Sequence, residues 1–320
     1  MSPITESNYT AQTKMLRGFP KFKRNGAVCP NGEMTPFVHK GRLMRMELHD
    51  PTGALDFGLN ISAMIRDVET GEVISYVGEH CYYYSAYVEG DTVYVLGTER
   101  KEVSPGHFAT TDTIYVYVSD DLINWEKRVL LQRPGWGLLN TALTKGPDGY
   151  ALLMECYAPA EEVGPYPYTF FFAFSRDLVH WEFDDPQYGI FKDRYMGGPW
   201  MRYSEGYYYV ISVTELPCVR YSNYIYRTKD FRHWEVGLYN PLLSPTEEDR
   251  VIAPYAVDLP EEKREAIRTG LLISSSDVDM CDWNGKTYIN YLIGNQLGFY
   301  YMVEAEYDGT VAEFLKANFE

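Results

Sequence analysis

The chain of 320 residues is 45% hydrophobic and 16% aromatic, a composition typical of a folded globular protein, which excludes a disordered or fibrous one. Its formal net charge of -16, with no cationic run longer than the segment KFKR, argues against nucleic-acid binding, since such binding needs cations that neutralise phosphates. No stretch approaches the ~18 apolar residues of a membrane span and the first 20 residues hold no apolar signal core, so we expect a soluble, cytoplasmic protein that contacts no membrane.

The predicted elements begin with five hairpins. At each one, a glycine follows a polar residue between two extended runs, and glycine tolerates the positive φ that tight hairpin turns require. In chain order these glycines are Gly41, Gly90, Gly149, Gly206 and Gly285. Each hairpin predicts the first two strands of a repeated β unit.

Three of these units continue into a third strand and then into the motif Ser/Thr-x-Asp-Leu/Phe-x-x-Trp-Glu. Its tryptophans, Trp125, Trp181 and Trp234, are 56 and 53 residues apart, a period typical of repeats with several strands per unit. We expect the aspartate of the motif to accept backbone N–H bonds in the turn before the fourth strand and the tryptophan to pack between neighbouring units. The alternative, a sugar-binding tryptophan above an acid, is disfavoured because the pair occurs three times.

A hairpin, a third strand, a turn and a fourth strand together make one blade of a β-propeller. The sequence predicts an all-β protein, a single five-bladed β-propeller domain over 1–320 with four-stranded antiparallel blades. The expected blades span 27–79, 80–133, 134–190, 191–243 and 270–320, and the last one takes its third and fourth strands from YMVEAEYDGTVAEF. One short helical insertion, PEEKREAIR, precedes blade five within 244–269. The polar N-terminal arm 1–20 either closes the last blade or crosses to a partner subunit of a homo-oligomer.

No metal site, cofactor or disulfide is predicted. The five cysteines form no C-x-x-C pair, the motif H-E-x-x-H is absent, and the six histidines are scattered. We expect the cysteines to be reduced thiols, most of them small core residues in strands.

In a propeller, the starting ends of the inner strands and the ends of the second strands surround a pocket at one face. Glu33 precedes the first inner strand, while Asp277 and Asp279 alternate with Val278 in the last one, so both aspartates should face one side. Carboxylates aimed at one narrow axis repel each other, which raises the pKa of one of them and suits general acid/base chemistry. The alternative is that these acids only cap strand ends or bond to neighbouring backbone.

The blade pattern and the repeated Ser-x-Asp-Leu-x-x-Trp element resemble the five-bladed β-propeller glycoside hydrolases, the group of arabinanases, xylosidases, invertases and 3,6-anhydro-galactosidases. In the arabinanase branch, an Asp opening blade one is the general base, an Asp in blade three tunes pKa and orientation, and a Glu opening blade four is the general acid. The corresponding positions here hold Glu33, offset by about one residue, Asn140 and Gly197. The usual acid is therefore missing.

The segment SSDVDMCDWNGKTYINYLIGNQ resembles blade five of the anhydro-galactosidase branch, whose members place functional groups there. This resemblance implies Glu33, Asp277 and Asp279 as the reacting acids. Reserve candidates for the acid are Glu155, Glu215 and His80. Trp200, Tyr82 and Tyr84 are expected to stack on a sugar face, with plain core packing as the alternative. Candidates for bonding sugar hydroxyls are Asn140, His49, Asn295 and Gln296.

The resulting hypothesis is a glycoside hydrolase without a cofactor. It cleaves a terminal sugar from a short oligosaccharide or small glycoside by carboxylate general acid/base chemistry in an axial pocket. The alternative is a non-catalytic carbohydrate-binding or scaffold propeller, motivated by Asn140 and Gly197 in place of two acids. A phosphorylase is disfavoured, because the inner-strand starts offer little Arg or Lys to clamp phosphate.

Overall fold

The computed structural model describes residues 20–30, 32–51, 60–166, 168–218, 220–295 and 298–320. Within this part of the chain, the strands form five four-stranded antiparallel units, of which the first three are separate sheets. The first sheet holds β2 (Met34–His39), β3 (Arg42–His49), β4 (Ser62–Asp67) and β5 (Val73–Val77). The second holds β6 (Cys81–Glu89), β7 (Thr92–Ser104), β8 (His107–Ser119) and β9 (Glu126–Gln132). The third holds β10 (Gly137–Gly146), β11 (Gly149–Ala158), β12 (Thr169–Ser175) and β13 (Trp181–Phe183).

The fourth and fifth units make up one eight-stranded sheet, because a parallel bridge between Tyr221 and Ser274 joins the two units. The fourth unit holds β14 (Met196–Ser204), β15 (Tyr207–Leu216), β16 (Arg220–Thr228) and β17 (Trp234–Val236). The fifth holds β18 (Ser274–Trp283), β19 (Lys286–Gly294), β20 (Tyr300–Tyr307) and β1 (Phe22–Cys29).

The innermost strands of the five units contact one another in a closed ring, in the order β2, β6, β10, β14, β18 and back to β2. Sheets arranged face to face around a ring of first strands are the blades of a β-propeller. Hydrophobic clusters fill the space between successive blades, such as Ile65 with Val95 between the first two and Leu96 with Leu152 between the next two. The structure confirms the predicted all-β propeller with four-stranded antiparallel blades.

The local predictions for the hairpins and the repeated turn are also confirmed. All five hairpin glycines have positive φ. In the turn of the third blade, Asp177 Oδ1 accepts bonds from the backbone N–H groups of Val179 and His180 at 2.9 and 2.8 Å. Trp181 packs against the hydrophobic cluster between the second and third blades. These contacts recur in the two sister turns, so the motif is a scaffold element.

The two ends of the propeller differ from our expectation. The fourth strand of the last blade is β1, which pairs antiparallel with β20 from Phe22 opposite Tyr307 to Cys29 opposite Met302. Residues 27–29 therefore belong to the last blade and not to the first. The expected C-terminal strand is instead helix α3 (Val311–Ala317), because Thr310 and Glu313 form a capping box that starts a helix. Residues 1–19 of the expected N-terminal arm lie outside the described residues.

The predicted insertion before the last blade contains helix α2 (Glu261–Thr269), preceded by a 3₁₀ turn at Glu247–Arg250. Asp249 in this turn is fully buried and accepts hydrogen bonds from Arg24 of β1 at 2.5 Å and from the Tyr291 hydroxyl of β19 at 2.7 Å. This network fastens the insertion to the closing strand. Two short elements lie elsewhere, helix α1 (Ala160–Val163) and a 3₁₀ turn at Pro186–Tyr188. Among the described helices, none has the length and apolar character needed to span a bilayer.

Candidate active site

The inner strands are distorted at one level of the propeller axis. Glu33, Tyr83, Gly198 and Asp277 adopt left-handed backbone conformations, with φ of 51°, 57°, 53° and 48°. In β6, β14 and β18 this residue belongs to a bulge, where two residues of the inner strand oppose one residue of the second strand. A non-glycine residue adopts this conformation at a cost of ~1–2 kcal/mol, and such strained positions cluster at functional sites.

These bulges surround a small cavity of about 20 Å³, which has room for about one water molecule. The three acids predicted to react, Glu33, Asp277 and Asp279, all line it. Its other lining residues are Met34, Tyr84, Ser85, Asn140, Thr141, Gly198, Pro199 and Val278. The closed ring of blades thus brings together carboxyl groups from the two ends of the chain.

Glu33 is the acid of the first blade. Burial raises its pKa well above the ordinary value, and the charge of Asp277 raises it further, while a hydrogen bond with the backbone of Tyr84 lowers it in part. The buried Oε2 of Glu33 has no hydrogen-bond partner among the described residues. Because a buried charge without partners is costly, this environment favours the protonated form.

Asp277 and Asp279 come from the last blade, on either side of Val278. Burial raises the pKa of Asp277, and the Ser276 hydroxyl, which donates to its Oδ2 at 2.5 Å, acts in the opposite direction. Burial also raises the pKa of Asp279 to about 7, while the Thr35 hydroxyl, which donates to its Oδ2 at 2.8 Å, lowers it and the charge of Asp277 raises it. The hydrogen bond from Thr35 ties the last blade to the first.

Glu155 is the fourth carboxyl group of the site. It lies in β11, the second strand of the third blade, and is 3% exposed. Its Oε2 accepts two hydrogen bonds, from Asn140 Nδ2 at 2.8 Å and from the backbone N–H of Gly198 at 3.0 Å. Burial raises its pKa to about 8, the two hydrogen bonds lower it, and the charge of Asp277 raises it.

Gly198 leaves room for the carboxyl group of Asp277 beside this hydrogen bond. A Cβ atom at this position would lie 2.8 Å from Oδ1 of Asp277, closer than van der Waals contact allows. The glycine therefore lets Asp277 lie close to the same backbone whose N–H group donates to Glu155. This is the part of the fourth blade where the resemblance places a glutamate.

The arrangement can supply both forms of a carboxyl group at once. The negative charges of Asp277 and Glu155 raise the pKa of Glu33, and the charge of Asp277 raises the pKa of Glu155. Carboxyl groups in such proximity do not all ionise near neutral pH, so protonated and ionised members coexist. General acid/base catalysis needs this combination.

Tyrosines surround the acids. Burial together with the charges of the site acids raises the pKa of Tyr82, Tyr83, Tyr168, Tyr195 and Tyr300, the last to about 12. Tyr195 also packs edge-on against Tyr168 and Tyr221, with ring centroids 5.3 Å apart in each pair. These rings offer aromatic faces and hydroxyl groups of the kind that suit a sugar.

Most of these tyrosines were missed from the sequence, which pointed only to Tyr82. Tyr168, Tyr221 and Tyr300 stand at the start of third strands, β12, β16 and β20. Antiparallel third strands start at the same face as the inner strands, so this position was a signal that could have been used. The starts of first strands and the ends of second strands do not include these tyrosines.

Arg100 was missed as well. It lies in β7, and its guanidinium carbon is 5.3 Å from the centroid of the Tyr82 ring. Its positive charge lowers the pKa of Glu33 in part and acts the same way on Tyr83. The site therefore contains a cation that the inner-strand starts did not reveal.

Two of the three reserve acids lie away from the cavity. His80 is exposed and lines a separate cleft of about 550 Å³ between the first two blades, together with His49, whose ring is 4.7 Å from that of Tyr76. Glu215 is exposed at the end of β15, opposite Tyr221. Of the reserve acids, only Glu155 lies beside the acids predicted to react, and the expectation for His49 is not supported at this site.

The expected stacking roles of Trp200 and Tyr84 are corrected by their packing. Trp200 is 7% exposed in the core formed by the last two blades, because the bulge before it turns the indole away from the acids. Tyr84 touches the cavity, yet its ring is buried between the first two blades and its hydroxyl donates to the backbone carbonyl of Cys81 at 3.0 Å. Tyr82 is 4% exposed and packs edge-on against Tyr83, which is more accessible. The buried rings of Tyr82 and Tyr84 therefore mainly form part of the wall of the site.

Among the expected hydroxyl-binding groups, Asn140 lines the cavity, where its amide donates to Glu155. The side-chain oxygen of Asn295 accepts a hydrogen bond from the backbone N–H of Phe299 at 3.2 Å. Gln296 lies outside the described residues. The described residues hold no group of three or more metal-binding side chains.

No family model and no curated protein matches the sequence. Solved structures do match in fold. A Bombyx mori GH32 beta-fructofuranosidase is 13% identical, with a TM-score of 0.55, over 92% of this chain and 66% of that one, so this chain spans just under two thirds of its length. A structure described as a glycoside hydrolase is 10% identical, with a TM-score of 0.58, over 92% and 95% of the two chains. A thermostable family-43 glycoside hydrolase is 12% identical, with a TM-score of 0.57, over 86% and 88%. The chain thus shares the fold of propeller glycoside hydrolases.

Proposed function

We propose that this protein is a glycoside hydrolase that cleaves a terminal sugar from a short oligosaccharide or small glycoside. The observation that carries the proposal is the convergence of Glu33, Asp277 and Asp279 on the propeller axis beside Glu155. The shared fold supports it, because the solved structures of this fold include a beta-fructofuranosidase and a family-43 glycoside hydrolase. A cytoplasmic location and a homo-oligomeric state stay predictions from the sequence.

The chemistry needs two carboxyl groups in different protonation states. A protonated one gives its proton to the oxygen of the leaving group, while an ionised one either attacks the sugar carbon or takes a proton from the attacking water. A separation of roughly 5 Å between the two carboxyls leads to retention of configuration, and roughly 6.5–9.5 Å to inversion. Coexisting protonated and ionised carboxyls at the axis match this requirement.

The walls of the site favour a small substrate. The cavity among the acids has room for about one water molecule, so a sugar ring would sit above it against Tyr83, Tyr168 and Tyr195. A narrow cavity of this kind suits the terminal unit of a glycoside better than the middle of a long chain. This supports cleavage at a terminus.

The second candidate is a non-catalytic carbohydrate-binding propeller. Two observations favour it: the narrow cavity, and the use of Asn140 and Gly197 where the resemblance places acids. Tyrosine rings around an acid centre would also suit a protein that only binds sugar. The two candidates differ in turnover.

A panel of aryl glycosides tests the proposal. We expect hydrolysis by the wild-type chain and its loss in Glu33→Gln and Asp277→Asn, with thermal stability retained. The matched control is Glu182→Gln, since Glu182 is exposed on the outer strand of the third blade, and this variant should keep full activity. Sugar-dependent stabilisation without turnover would favour the binding protein. The anomer released first, followed by proton NMR, gives the stereochemical course.

A further inference from the structure

The missing glutamate of the fourth blade leaves the proposed hydrolase without its expected proton donor. We propose that Glu155, from the second strand of the third blade, is that proton donor. The inference rests on the proposed function and assigns one role within it. Three observations support it: where the carboxyl group lies, how it is held, and what surrounds it.

The first observation is position. Glu155 Oε2 lies 3.0 Å from the backbone nitrogen of Gly198, in the bulge of β14 at the start of the fourth blade. The carboxyl group of a neighbouring blade therefore lies beside the backbone from which the expected glutamate would extend. Gly198 also leaves room for Asp277 on this backbone, since a Cβ atom there would lie 2.8 Å from Oδ1 of Asp277.

The second observation is orientation. Both hydrogen bonds to Glu155, from Asn140 Nδ2 and from the N–H of Gly198, end on Oε2. These donors keep Oε2 as an acceptor, so a proton on this carboxyl group is carried by Oε1. No described residue bonds to Oε1. One oxygen is fixed and the other is available for proton transfer.

The third observation is the electrostatic environment. Among the described residues, no cationic group affects the pKa of Glu155, and Glu155 affects the pKa of no cationic group. The groups that interact with it in this way are Glu33, Asp277, Tyr83, Tyr168, Tyr195 and Cys156. Burial and the charge of Asp277 raise the pKa of Glu155 to about 8, so it keeps its proton at pH 7. A general acid needs this state at the working pH.

The proposed step transfers one proton and breaks one carbon–oxygen bond. The proton leaves Oε1 of Glu155 for the glycosidic oxygen, whose bond to the sugar carbon breaks with its electron pair passing to that oxygen. The sugar carbon gains a bond from a water oxygen, whose proton passes to an ionised carboxylate of the site, or from that carboxylate itself. The leaving alcohol departs neutral, and Glu155 becomes a carboxylate held by Asn140 and Gly198.

The test compares leaving groups in Glu155→Gln. For a phenyl or alkyl leaving group, which must be protonated, kcat/KM should fall by about 10²–10⁴-fold, the usual contribution of a general acid. For 2,4-dinitrophenolate, which leaves without a proton, the loss should be below about 10-fold. The alkaline limb of the pH profile should disappear. Glu182→Gln, exposed in the same blade, should behave as the wild type with both leaving groups.

A second variant protects the test against misfolding of the first. Asn140→Ala removes a donor that favours the ionised form of Glu155, so the alkaline limb of the remaining activity should move to higher pH. An equal loss on both leaving groups in Glu155→Gln, or an unmoved limb in Asn140→Ala, would overturn the assignment alone. Absence of turnover by the wild-type chain would overturn the proposed function, and the assignment with it.

Discussion

Replacing Glu155 by Gln should stabilise the folded chain at alkaline pH. The folded state holds the pKa of Glu155 at about 8, above its ordinary value of 4.5, so between these pH values it binds a proton that the unfolded chain has released. Its contribution to stability is complete below pH ~4.5 and is lost as the pH rises through about 8. Glutamine keeps an oxygen that can accept from Asn140 and Gly198 and has no charge to bury.

The size of the effect follows from that difference. The interval between 4.5 and about 8 corresponds to about 5 kcal/mol, at about 1.36 kcal/mol per pH unit, for a group that is 3% exposed. The charge of Glu155 also raises the pKa of Glu33, so ionisation of Glu155 favours the protonated form of Glu33 and the net effect is smaller than this full value. We expect the variant to exceed the wild type by about 2–3 kcal/mol at pH 9 and to match it at pH 4.

Chemical denaturation at pH 4–9, followed by tryptophan fluorescence, measures the free energy of unfolding of both chains. The wild type should lose stability more steeply across this range than Glu155→Gln. The exposed Glu182→Gln should reproduce the wild-type profile. Parallel profiles for the wild type and Glu155→Gln would refute the reasoning, because they would show that Glu155 ionises in the folded chain at no extra cost.

Two substitutions test the scaffold. Arg24→Ala leaves the fully buried Asp249 without its cation, so the free energy of unfolding should fall by about 3–5 kcal/mol in a denaturant titration. A loss below about 1 kcal/mol would show that this ion pair does not anchor β1, the strand that closes the last blade. Gly198→Ala forces Asp277 aside and should lower both Tm and kcat/KM. The control is Gly206→Ala, which is also at positive φ but has no neighbouring atoms in the way. It should lower the free energy of unfolding by only ~1–2 kcal/mol and leave kcat/KM unchanged. Equal effects of the two alanines on kcat/KM would show that the close approach to Asp277 is unimportant.

Much of the fold was readable because it repeats. Hairpin glycines and the turn around Asp177 are local signals, since each depends on backbone conformations within a few residues. The hairpin glycine recurs once in each blade, so its repeats give the number of blades. The closing strand Phe22–Cys29 carries no such signal, because its partner β20 lies at the other end of the chain. The capping box at Thr310 is also a local signal, and it starts a helix where the strand pattern predicts the fourth strand of the last blade.

The candidate site was readable only in part. Glu33, Asp277 and Asp279 were identified from their place at inner-strand starts. Trp200 also lies near the start of an inner strand. Its side chain nevertheless packs in the core, because the bulge in β14 changes which side chains alternate between the two faces of the strand. Sequence alternation alone does not show where a bulge occurs.

The sequence by itself determined the repeated blade, its hairpins and turns, and the presence of acids at the inner strands of the first and last blades. Only the tertiary structure decided which side chains share the axis, that β1 closes the ring, and that Glu155 reaches the backbone of Gly198 from another blade. The physical reason is the range of the forces. Turns and strands follow from contacts between near neighbours in the chain, whereas burial, charge repulsion and the hydrogen bonds of a carboxyl group depend on every blade that surrounds it.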